Sequence, residues 1–227
     1  RTDAQGRVLA NPNAPTGLAL TTGQLEYLIQ SLEARGQFII LDEAYVDFAA
    51  QSALSLLAKY DNFLIVRTFS KSRALAGLRL GFALGRKEAI RALERVRDSI
   101  NSYTVDRISE QLGIASLDDE AHFRQSIVKV VATRTRFCEA AKGLGFELIN
   151  SEANFVLIRL GPGRAKDAYL YLRDRAILVR HFDQPLIGEY IRITIGREEE
   201  MDRLLDTLVQ WKEAQDVRAK LQNREKD

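Results

Sequence analysis

A chain of 227 residues, 46% of them hydrophobic, can fill one large core or two small ones, which excludes general disorder. Thirty-three Lys and Arg stand against 31 Asp and Glu, a net charge of +2. That balance offers no basic surplus for nucleic acid, and no apolar run is long enough to span a membrane. The single cysteine, Cys138, excludes an internal disulfide framework and fits a reducing cytoplasm, while two histidines, His122 and His181, exclude a histidine-rich metal site.

The opening, RTDAQG, is polar, without an initiator Met or signal-peptide pattern, and is expected to begin inside a longer protein. TTGQLEYLIQSLEARG reads as a helix. Thr21 and Gln24 have capping-box spacing, Leu25, Leu28, Ile29 and Leu32 share a face, and Gly36 ends it. QFIILD then reads as a strand buried on both faces and ending in Asp42. A short helix near Leu54–Tyr60 precedes a second buried strand, FLIVRT, and after a loop a third, LRLGFALG. This alternation predicts an open α/β sheet.

Helical patterns follow at Lys87–Arg97 and Val105–Leu117. Asp118 or Asp119 is positioned to cap a long helix that runs to about Leu144 and closes at GLG. Beyond it the units shorten: a strand in NFVLIR, a helix at Ala165–Arg175, strands in ILVR and YIRITIG, and a helix at Glu198–Gln215. They predict a second, α+β domain hinged on the long helix, with a charged, frayed tail from about 216. Cys138 falls in a helical pattern and is expected to be packing.

Ligands of open α/β sheets bind beyond the carboxyl ends of the strands. One buried strand here delivers Asp42 and then Tyr45, and its neighbour delivers Thr68, Ser70 and Lys71. A single lysine is ordinarily a solvated surface residue. Lys71 differs in having no carboxylate between Asn62 and Arg86 and three arginines nearby, Arg67, Arg73 and Arg79. Adjacent positive charge and partial burial are therefore expected to favour its neutral, nucleophilic form. Ser70, Thr68 and Arg79 add donors suited to a phosphate. A lysine nucleophile, a phosphate anchor and a strand-end Asp are the parts a pyridoxal phosphate site requires.

The motifs NPNAPTG (11–17), LDEAY (41–45), TFSKSRALAGLRLG (68–81), NSYTVDR (101–107), ANFVLIR (153–159) and YIRITIG (190–196) lie in an order that resembles the class I/II aminotransferases. These are fold-type I pyridoxal phosphate enzymes, and within them the chain is most similar to the histidinol-phosphate aminotransferases. The resemblance implies an α/β fold of the pyridoxal-phosphate-dependent transferase type. Residues 1–119 would be a partial large domain with a mostly parallel sheet, and residues 120–227 a C-terminal α+β small domain.

The resemblance implies roles for single residues. Lys71 would link to the aldehyde of pyridoxal 5'-phosphate and move the substrate proton. Asp42 would face the pyridine nitrogen and Tyr45 the ring's phenolic oxygen, with Ser70, Arg79 and Thr68 on the phosphate. Arg192 would take the substrate carboxylate, supported by Asn154, and Arg180 the substrate's phosphate end. The implied activity is amino transfer between histidinol phosphate and 2-oxoglutarate in the cytoplasm, with small-molecule amino donor and 2-oxo acid partners. A homodimer is implied, with Tyr103 near its interface and no metal, nucleic acid or membrane involved.

Two departures qualify this pattern. Ala14 stands where many relatives carry an Asn that reaches the phenolic oxygen, which leaves Tyr45 with Asn13 as a substitute. The family's amino-terminal third, with a Gly-rich phosphate turn and a stacking aromatic, has no counterpart, so apolar surface is expected to be exposed. Open alternatives are another reaction on the same scaffold, either a different aminotransferase or a threonine-phosphate decarboxylase, and an inactive fragment acting as an interaction module. The glycines of GLRLGFALG are spaced unlike a dinucleotide fingerprint.

Overall fold

A computed structural model describes the backbone of residues 4–224 and the side chains of 4–217. In chain order the elements are β1 (Gly6–Ala10), α1 (Thr22–Glu33), β2 (Phe38–Asp42), β3 (Phe63–Thr68), β4 (Gly81–Gly85), α2 (Lys87–Ile100), α3 (Arg107–Asp118) and α4 (Glu120–Gly143). There follow β5 (Glu147–Ile149), β6 (Phe155–Arg159), α5 (Arg164–Arg173), β7 (Arg180–His181), β8 (Tyr190–Thr194) and α6 (Glu198–Arg224). The chain divides into two compact units, Arg1–Val128 and Lys129–Asp227. No helix among the described residues is long and apolar enough to cross a membrane.

In the first unit the sheet order is β1-β2-β3-β4, with β1, β2 and β3 parallel and β4 antiparallel to β3. Helix α1 starts as its residues dictate. The Thr21 hydroxyl accepts from the Gln24 amide at 3.3 Å while Gln24 Oε1 accepts from the Thr21 amide at 2.9 Å, a reciprocal capping box. It ends at Gly36, whose φ of +65° suits a residue without Cβ. Leu25, Ile29 and Leu32 pack on Ile39 and Leu41 of β2 and on Phe63 and Ile65 of β3. Strand β3 opens with three buried residues, Phe63 to Ile65, as a central strand should. On β2 only Ile39 and Leu41 are fully buried, so the burial on both faces expected there is not met, and β4, expected as a third buried strand, has no fully buried residue.

The second unit holds an antiparallel sheet in the order β5-β6-β8-β7. Alternation along β6 and β8 turns Val156, Ile158, Ile191 and Ile193 to one face. There they meet Phe137 and Ala141 of α4, Leu172 of α5 and Leu204, Leu208 and Trp211 of α6. Cys138 packs against this core and burial pushes its thiol pKa up, which leaves it an inert packing residue. Asp119, of the two candidate caps, starts α4, its Oδ1 accepting from the His122 amide at 3.2 Å. At the far end Gly145 takes a φ of +75° after the helix.

Four other elements depart from expectation. β1, which has no fully buried residue, and β5, only three residues long, carry no clear apolar pattern of their own and pair with β2 and β6. The strand expected at ILVR reduces to Arg180–His181, while Ile177 and Val179 before it pack on the core. Helix α6 continues to Arg224 instead of fraying from about 216, since DVRAKLQNR contains neither Gly nor Pro and is rich in good helix formers. The last residues of the expected tail, 225–227, lie outside the described residues.

Gly81, where β4 meets the end of β3, tests the closeness of this pairing. A Cβ there would lie 2.8 Å from the Arg67 carbonyl oxygen, a backbone atom that cannot swing aside. Gly81→Ala should lose about 1–3 kcal/mol in urea unfolding. Gly23→Ala, with nothing within 4 Å of the added carbon, should be neutral or slightly stabilising.

Candidate active site

Three parallel strands end at the same edge of the first sheet, with Ala10, Asp42 and Val66 in register. The loops that carry the motifs leave from there. After β1, the NPNAPTG turn is closed by Asn13, whose amide donates to the Leu18 carbonyl at 2.8 Å and whose Oδ1 accepts from the Thr16 hydroxyl at 2.8 Å. Asn13 Oδ1 is thus engaged within its own turn. Asn11, 2% exposed, joins this turn to β2 through its amide and the Asp42 carbonyl at 2.9 Å.

After β2, half-buried Asp42 accepts the Ala44 amide on Oδ1 at 2.9 Å, an Asx turn that aims the carboxylate out of the strand end. Its other oxygen has no hydrogen-bond partner among the described residues. Tyr45 follows at the start of a short 3-10 turn, Val46–Phe48, and the Lys71 Nζ stands 5.4 Å from the centroid of its ring. This is a cation–π distance.

After β3, Thr68 stiffens the loop. Its hydroxyl donates to the Leu80 carbonyl at 3.3 Å and accepts the Ser70 amide at 3.0 Å. Thr68 is therefore a splint for the lysine loop, and Ser70 keeps its own hydroxyl unengaged among the described residues. Arg79 ends a second 3-10 turn, Ala76–Leu78, with a φ of +53°, and its exposed guanidinium donates to the Ala76 carbonyl at 2.9 Å. The structure brings Asp42, Tyr45, Thr68, Ser70 and Lys71 to one end of neighbouring strands.

The expected setting of Lys71 needs correction. Its side chain is exposed rather than partly buried. Two of the three nearby arginines also have carboxylate partners from outside the local stretch: Arg67 pairs with Glu43 at 2.7 Å and Arg73 with Glu120 at 3.6 Å. A scan for carboxylates along the sequence cannot see partners brought in by the fold.

In the second unit Arg192 on β8 lies directly across from Arg180 on β7. Neither has a carboxylate partner among the described residues. The Arg192 guanidinium carbon lies 5.0 Å from the Phe155 ring centroid and 5.6 Å from that of Phe182, and the Arg180 guanidinium lies 5.5 Å from Phe182. Arg192 Nε is buried with no hydrogen-bond partner among the described residues. Half-buried Asn154 precedes β6, its carbonyl accepting the Ile195 amide at 2.9 Å.

A family model for aminotransferase class I and II matches residues 2–208. The chain belongs to that family. It is 48% identical over 204 residues to the histidinol-phosphate aminotransferase of Brachyspira hyodysenteriae, covering 89% of this chain and 57% of that protein. Against histidinol-phosphate aminotransferase 1 of Hydrogenovibrio crunogenus the identity is 47%, over 89% of this chain and 56% of the relative. Among solved structures, the Sinorhizobium meliloti histidinol-phosphate aminotransferase in complex with pyridoxal-5'-phosphate superimposes with a TM-score of 0.82 at 28% identity, covering 92% of this chain and 57% of the other. The chain thus spans a little over half the length of the curated relatives it matches.

This aminotransferase-family sheet is held at its strand ends by a residue that sequence reasoning passed over. Glu43, whose side chain is fully buried, follows Asp42 and by strand alternation points the other way. It accepts from Arg67 Nε at 3.1 Å and Nη2 at 2.7 Å, from the Ser52 hydroxyl at 2.9 Å and from the Ala53 amide at 2.7 Å. The signal was present as two adjacent carboxylates and an arginine inside otherwise apolar strands. Removing one partner of such a pair leaves an uncompensated buried charge. Arg67→Met should cost about 3–5 kcal/mol in urea unfolding. The double variant Glu43→Gln, Arg67→Met should recover a large part of that loss.

Proposed function

We propose that the gene product containing this chain is a pyridoxal 5'-phosphate-dependent aminotransferase that exchanges an amino group between histidinol phosphate and 2-oxoglutarate. The observation that carries this reading is the Lys71 amine standing 5.4 Å from the Tyr45 ring, beside the strand end that presents Asp42. The donor set fits the cofactor: a carboxylate for a ring N–H, a phenol for a ring oxygen, an amine for an aldehyde, and a hydroxyl and a guanidinium for a phosphate. Bound pyridoxal phosphate would supply an aldehyde and an electron-accepting ring.

Asp42 would hold the ring nitrogen's proton and Tyr45 would donate to the phenolic oxygen, with Asn13 as a further candidate for that oxygen. Ser70 and Arg79 donate to the phosphate, and Thr68 acts by fixing the Ser70 amide. Lys71 Nζ would hold the aldehyde end and would carry the proton from the substrate's Cα. Arg192, with its orphaned Nε, would take the α-carboxylate of glutamate or 2-oxoglutarate with Asn154, and Arg180 would take the phosphate of histidinol phosphate, which has no carboxylate, or the side-chain carboxylate of glutamate. Residues 1–119 form the cofactor-binding domain and 120–227 the small domain, in a cytoplasmic homodimer. The names carried by the most similar relatives favour this reaction over a decarboxylase on the same scaffold.

Borohydride reduction of the intact gene product with pyridoxal phosphate, followed by peptide mapping, should place the label on Lys71, and Lys71→Ala should abolish it. A label elsewhere, or none, overturns the reading. Arg192→Ala should lower kcat/KM for 2-oxoglutarate by about 10- to 100-fold, the loss of a charge-assisted bond. Absence of turnover with histidinol phosphate in the wild type would overturn the substrate assignment alone.

A further inference from the structure

Lys71 sits in a loop whose backbone folds back on itself. The Ala74 amide donates to the Lys71 carbonyl at 3.1 Å and the Leu75 amide to the Phe69 carbonyl at 3.0 Å. The two residues after the lysine point away in different directions, and each is tied down. Ser72, 8% exposed, donates its hydroxyl to Asp47, which follows Tyr45 in the turn after β2. Arg73 is enclosed as well, with its side chain 13% exposed. Its Nη1 donates to the carbonyl of Ser116 in the last turns of α3 and lies 3.3 Å from the Ser116 hydroxyl. Its Nη2 lies 3.6 Å from Glu120 in the first turn of α4, and its guanidinium carbon 4.0 Å above the Phe123 ring. A guanidinium is suited to this combination, because its planar fork serves a helix-end carbonyl and a carboxylate while its face stacks on an aromatic.

We propose that Arg73 is a positioning residue for Lys71, clamping the lysine loop to the α3–α4 junction so that the amine is presented at the point where an aldehyde-bearing ligand binds. The exposed lysine side chain has few contacts of its own, so its reach is set by where the loop backbone is held. Arg73 touches neither cofactor nor substrate in this account and acts only through the loop. The inference rests on the pyridoxal phosphate reading above.

A pair of ligands isolates the effect. Pyridoxal phosphate gains affinity from its bond to the lysine, whereas pyridoxamine phosphate, which has no aldehyde, binds through the ring and phosphate contacts alone. Dissociation constants for both are measured on the intact gene product, wild type, Lys71→Ala, Arg73→Met and Phe123→Leu. Arg73→Met should weaken pyridoxal phosphate about tenfold or more while changing pyridoxamine phosphate less than about twofold, because a small misplacement of a reacting group is costly. Phe123→Leu removes only the stacking ring and should give the same selectivity with a smaller loss, which keeps the test decisive if Arg73→Met fails to fold. Equal weakening of both ligands, or no change in either, overturns the proposal and leaves Arg73 a structural residue. Wild type that binds pyridoxal phosphate no better than Lys71→Ala would instead overturn the assignment of Lys71.

Discussion

A carboxylate removed from water at the end of a strand must be matched by donors, and Glu43 is matched by two separate segments. Arg67 comes from β3, Ser52 and Ala53 from the turn that follows β2, and the Glu43 amide itself donates to the Val66 carbonyl at 2.9 Å. Such a pair contributes little net stability relative to apolar residues of the same volume, because both ions lose hydration. Its effect is on geometry. It fixes β2 against β3 at the point where Asp42 turns outward, so the distance between the carboxylate and the lysine loop follows from a buried network rather than from surface contacts.

The loop after β3 continues the same logic at lower cost. Thr68 bridges Ser70 and Leu80, Ser72 holds the turn that carries Tyr45, and Arg73 holds the helix junction. Each backbone neighbour of Lys71 is therefore restrained, while the lysine itself is exposed and reaches toward Tyr45. A reactive group needs that division: a rigid support set by neighbours, and a tip left unbonded for its ligand.

How much of this could be read from the residues alone depended on whether partners were near in sequence. The capping box of Thr21 and Gln24 joins residues three apart and was legible, as were the apolar face of α1, the cap at Asp119 and the central strand β3. The short strands β1 and β5 were not, because their hydrogen bonds go to strands far along the chain. The same limit explains the misreading of Lys71. Asn62 to Arg86 contains no carboxylate, yet Glu43 and Glu120 are delivered to Arg67 and Arg73 by the fold. The motifs pointed to the strand-end residues, whereas the network beneath them became visible only when distances replaced sequence separations.

The second unit presents the opposite case, a local rule broken without internal compensation. Like charges directly across a ladder repel, and a buried guanidinium nitrogen without an acceptor carries a desolvation penalty. Arg180 and Arg192 meet both conditions, with the rings of Phe155 and Phe182 offering only the weaker attraction of their π faces. A sheet chosen for stability alone would place a carboxylate or an apolar residue at one of these positions. Violations of this kind concentrate where a ligand completes the structure. An anion between the two arginines would remove the repulsion and supply the missing acceptor together, so the free unit's electrostatic strain would become binding energy for that anion.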